Sequence, residues 1–207
     1  MDPKERNSTE ETTITMTSSM LKAMANPLRR RIVATLSATD SARATDLAER
    51  LDVPANSLSF HLRVLASAGI VEEAPELARD RRDRVWRAVR GRFSVGSPEA
   101  PSSADDALVL KTYVGQQGQE LVRQLQAVLD WGNAYATGNE PDMRGVLDLS
   151  NLMLNADEVK VLENRIMDVV GEAKRESLRN ADDGSDRRLW HLTTMMARED
   201  LPGLAQD

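Results

Sequence analysis

From residue 16 onward the apolar positions repeat at helical spacing. Met20, Leu21 and Met24 fall on one side of a predicted helix over 16–24. Asn26-Pro27 follows, a capping residue and then a proline suited to the first helical position. The next helix places Leu28, Ile32 and Leu36 at i, i+4 and i+8, with Arg29, Arg30 and Arg31 mostly off that stripe. A short helix, DLAERL, turns Leu47, Ala48 and Leu51 inward, with Thr45 as its expected cap. Pro54 opens a further helix that Gly69 closes, with Leu58, Leu62 and Leu65 as its core stripe and Ala55 extending it. Ile70-Val71 and Val85–Val89 read as two strands flanking an arginine-rich loop.

Beyond residue 93 the pattern changes. GSPEAPSSADD has no apolar period and reads as a linker over 94–103. Ala107, Leu110, Val114, Leu121, Leu125 and Val128 predict a long helix over 104–135, whose stripe suits a partner subunit. VLDLSNLML is expected as a strand, and Asn155 with Glu158 forms a capping-box start for a helix ending near Asn180. RRLWHLTTMM is expected as a last strand. The fold class is therefore α+β and mainly helical. It has a disordered N-terminus over 1–15, a first folded unit over 16–93, and a helix-strand-helix-strand region over 104–207 for dimerisation and an effector. Trp131, Met153, Trp190 and Met195 are candidate lining for an effector pocket, with core and dimer contacts as the plainer reading.

Charge sharpens this division. The net charge of −6 hides a strong asymmetry. Residues 19–93 hold fourteen basic and nine acidic residues, whereas 94–207 hold eleven basic and twenty acidic. A basic middle segment beside an acidic one hints at nucleic acid. There is no cysteine, and the two histidines, His61 and His191, are far apart, so no metal or cofactor is expected. No apolar run has membrane-spanning length and the N-terminus lacks an apolar signal core, so a cytoplasmic protein is expected. No nucleophile–base order or phosphate-binding loop occurs, so no enzyme is expected.

Two short helices joined through Asp52-Val53-Pro54, with small polar residues early in the second, then a basic hairpin, give the order of a winged helix-turn-helix. A helix entering the major groove needs short polar groups near its start. Asn56, Ser57 and Ser59 supply them, Phe60 lies beside them, and Arg63 follows one turn later. Arg79, Arg81, Arg82 and Arg84 on the wing suit phosphates or a narrow minor groove. Singly, each feature has a simpler reading: a helix cap, a solvated loop, a locally packed ring. His61 reads as a hydrogen-bonded packing residue and not a ligand. Their order and spacing favour DNA.

The segment 18–93 also resembles the ArsR-type winged-helix repressors. The resemblance rests on Asn26, Pro27 and Arg29; on Asn56, Ser59, His61, Leu62 and Leu65; and on Ala68, Gly69, Ile70 and Val71. It implies a homodimeric transcriptional regulator, a repressor, that binds inverted-repeat double-stranded DNA through the recognition helix. Metal-sensing members carry Cys or His motifs that are missing here. Two other readings stay open: a winged-helix protein-docking module that does not bind DNA, and a regulator responsive to a small-molecule effector held by the C-terminal region.

Overall fold

The computed structural model describes residues 13–80, 83–97, 101–102, 106–181 and 183–204. The chain begins with β1 (Thr13–Thr15), followed by α1 (Ser18–Met24) and α2 (Pro27–Thr39). Thr17 caps α1 by accepting from the Met20 N–H. Asn26 caps α2 by accepting from the Arg29 N–H at 3.1 Å, and Pro27 occupies the first turn as its fixed φ favours. β2 (Ser41–Arg43), α3 (Ala44–Leu51) and α4 (Ala55–Ser67) come next. Asp52 adopts a left-handed conformation (φ 54°) and its N–H closes the end of α3. Gly69 (φ 73°) ends α4 and leads into β3 (Val71–Glu73). A single 3-10 turn at Pro75–Leu77 and a loop connect to β4 (Val85–Ala88), then β5 (Arg92–Ser94).

β4 lies between β2 and β3, antiparallel to both, and forms the winged sheet. β1 pairs in parallel with β5, so the two ends of the winged unit lie side by side. One core fills the space between the helices and the sheet. Leu21, Ile32, Leu36, Leu47, Leu58, Leu62 and Leu65 are fully buried, with Ile70, Val71 and Trp86 beneath the sheet. The predicted stripes of α2, α3 and α4 are all represented, which is the burial that makes short helices stable. Arg29 and Arg30 reach back to α1: Arg29 donates to the Ala23 and Lys22 carbonyls, and Arg30 to those of Met24 and Ala25. Carbonyls at the end of a helix lack partners within it, and the guanidinium groups supply them.

Beyond the winged unit the fold is helical. α5 (Ala107–Ala136) packs its first turns, through Val109, Leu110 and Tyr113, against the core. α6 (Ala156–Arg179) starts at a complete capping box of Asn155 and Glu158. Glu163 of α6 accepts from Arg92 of β5 at 2.6 Å.

Four expectations need correction. Thr13–Thr15 form a strand inside the stretch expected to be unstructured, because β5 offers them a ladder; residues 1–12 lie outside the described residues. Thr45 is not the cap of α3, since Arg43 precedes the helix directly from β2. Ala55 opens α4 on an exposed turn instead of extending the core stripe. The C-terminal region is not helix-strand-helix-strand: residues 146–154 and 187–196 have no regular structure. Neither segment alternates strictly, and neither has a neighbouring strand to pair with.

Candidate nucleic-acid interface

α3 and α4 form a helix-turn-helix whose second helix has two contrasting faces. Leu58, Leu62 and Leu65 anchor the inner face. The outer face presents Asn56, Ser59, Phe60, Arg63 and Ser67, all exposed, while Ser57 is half-buried at its margin. Local hydrogen bonds order these groups. The Ser57 N–H donates to the Asn56 side-chain oxygen at 2.9 Å. The Ser59 hydroxyl donates to the Ala55 carbonyl at 2.9 Å, leaving its oxygen free to accept. Arg63 Nε donates to the Ser59 carbonyl at 3.2 Å.

His61 borders this face. Its Nδ1 is buried without a hydrogen-bond partner among the described residues. Burial, and secondly the charge of Arg29, hold its imidazole below the usual histidine range. His61 is packed as expected, but the hydrogen bond expected of it is not formed at Nδ1 among the described residues.

The wing brings part of the arginine set to the same unit. Arg79 is exposed, and its backbone N–H donates to Asp83 at 3.4 Å. Arg84 is 65% exposed with Glu73 at 3.5 Å, a weak surface pair. Arg81 and Arg82 lie outside the described residues. Arg87 is held by Glu72 at 2.6 Å and Glu76 at 2.7 Å, so its charge is largely met within the wing.

The sequence reading passes over Arg43. Its guanidinium grips Asp46 through two bonds of 2.9 Å at the start of α3, and this holds the Asp46 carboxyl below the usual range. Arg79 adds to that effect, and Asp83 acts likewise on Arg43, so the wing loop and the start of α3 share one electrostatic neighbourhood. The sequence signal was the Arg–Asp pair flanking the first turn of DLAERL.

Three of the candidate effector residues are exposed. Met153 is 99% exposed, Met195 84% and Trp190 55%. Trp131 lines an open cavity of about 340 Å³ with Ala127, Val128, Ala134, Glu140 and Arg144. Among the described residues no helix is long and apolar enough to cross a membrane.

Residues 24–74 match the helix-turn-helix domain family. The matched span runs from the end of α1 to the start of the wing, and so contains the whole helix-turn-helix with its outer face. The match supports a DNA-binding regulatory protein. Several solved structures are similar. Reduced HlyU from Vibrio cholerae N16961 is 23% identical, covering 45% of this chain and 79% of that one, with a TM-score of 0.29. The YusO protein from Bacillus subtilis is 16% identical over 59% and 79% of the two chains, with a TM-score of 0.34. An apo ZitR variant from Lactococcus lactis is 13% identical over 72% and 83%, with a TM-score of 0.33. At these scores no ligand or assembly passes from those proteins to this one. No curated protein matches the chain.

Proposed function

We propose that this protein is a cytoplasmic, ArsR-like transcriptional repressor that binds operator DNA as a homodimer. The observation that carries this reading is the outer face of α4: short polar groups and one arginine, exposed on the second helix of a helix-turn-helix. Asn56, Ser57, Ser59, Phe60 and Arg63 face the major groove, while Arg79, Arg81, Arg82 and Arg84 hold the flanking backbone. α5 supports the homodimer. None of its thirty residues is buried, and Leu121, Leu125 and Leu129 repeat on one exposed face.

Selection from a random duplex pool at two salt concentrations tests the proposal. The expected product is an inverted repeat with half-sites about one helical turn apart, bound with an affinity that falls steeply in salt. Replacing the four wing arginines by alanine should weaken binding and flatten the salt dependence. Failure to enrich any sequence, or unchanged binding by the quadruple variant, would count against the corresponding part.

A further inference from the structure

The outer face of α4 is polar except at its middle. There Phe60 is 56% exposed, and the contact recorded for its ring is with the neighbouring His61 ring, edge-on, with centroids 5.4 Å apart and planes at 75°. Asn56, Phe60 and Arg63 follow the i, i+4, i+7 spacing of one helical face, so any surface met by Asn56 and Arg63 also meets the phenyl ring. The Ser59 hydroxyl, beside it, is turned back to the Ala55 carbonyl. A benzyl group in water forgoes the gain of burial that a core position would give it. Its place among groove-directed polar groups calls for an apolar counterpart on the DNA.

The major groove offers one such counterpart, the 5-methyl group of thymine. We infer that Phe60 reads a thymine methyl in each operator half-site. The inference rests on the DNA-binding reading above and specifies one base of the site. Cytosine at that position lacks the methyl and presents an amino donor that a phenyl ring leaves unpaired, which is costly in a dry contact. Uracil differs from thymine by the methyl alone, so it isolates the apolar contact. Burial of one such group corresponds to about a fourfold change in affinity for each half-site.

The test uses the full chain and the operator obtained by selection. Each thymine is replaced singly by deoxyuridine, which leaves base pairing intact. The native protein should lose about fourfold in affinity at one position of each half-site and little elsewhere. Phe60→Ala should bind the thymine and uracil forms equally at that position while keeping the native melting temperature, since the side chain is exposed. Phe60→Gln, similar in bulk but polar, should show the same loss of discrimination if the alanine variant misfolds. Three results would overturn the inference: an operator whose half-sites lack thymine, indifference of the native protein to every replacement, or a Phe60 variant that still discriminates. Each of these leaves DNA binding standing. Failure to bind any duplex would remove both together, and capture of a protein by the Phe60 face without DNA binding would reassign the ring to that partner.

Discussion

Arg63 is tethered to its own helix through Nε, which leaves both terminal nitrogens unpartnered among the described residues. On the proposed DNA-binding reading, a guanidinium so placed would meet DNA at little ordering cost. Arg63→Ala should therefore weaken operator binding by about 1–2 kcal/mol and reduce the salt slope by about one, measured by titration at several salt concentrations. His61 gives a different expectation, on stability. Its imidazole is held below the ordinary value of 6.5, so the unfolded chain takes up a proton before the folded one does. Stability is then full above about pH 6.5 and declines as the pH falls through that value, levelling once the folded group also protonates. Urea midpoints at pH 7.5 and 5.5 should differ more for the native protein than for His61→Gln. Equal differences would show that His61 does not contribute.

At the scale of elements, α4 ties an exposed polar face to the core. Its inner leucines are fully buried, so Leu62→Ala should cost about 2–5 kcal/mol by chemical denaturation. Gly69 ends the helix at φ 73°, where a Cβ has room, 3.6 Å from Met20 Cε, but an unfavourable backbone. Gly69→Ala should cost about 1 kcal/mol, from strain and not from collision. The elements legible in the sequence were those that state their own boundaries: Asn26-Pro27 before α2, Pro54 and Gly69 around α4, Asn155 and Glu158 before α6. β1, β2 and β5 were not legible. Each has three residues, too few to show an alternating period, and each exists because a distant strand lies beside it. The converse held in the C-terminal region, where apolar runs resembling strands found no ladder. On the candidate interface, sequence order located the exposed side chains of α4, but it could not show Arg43 bound to Asp46 or Arg87 committed to Glu72 and Glu76.

Across the whole molecule, apolar exposure is unevenly distributed. The winged unit closes over its own core, whereas α5, α6 and the segments after them leave Val122, Leu125, Leu152, Met153, Val169 and Leu192 open to solvent. An apolar surface of this extent favours association with another surface of like character. We expect a stable dimer by sedimentation at micromolar concentration. Leu121→Lys with Leu125→Lys should shift it to monomer and make operator binding more concentration-dependent. A dimer of unchanged stability would place the interface elsewhere.

The clasp between β1 and β5 has a mechanical meaning. The strands run in the same direction, with Thr13 opposite Arg92 and Thr15 opposite Ser94, and the Met16 N–H donates to the Ser94 carbonyl at 2.8 Å. Tension drawn through the chain would pull the start of one strand against the end of the other. The load then falls along the strands and is shared by all their hydrogen bonds at once, as in shear, instead of opening them one by one.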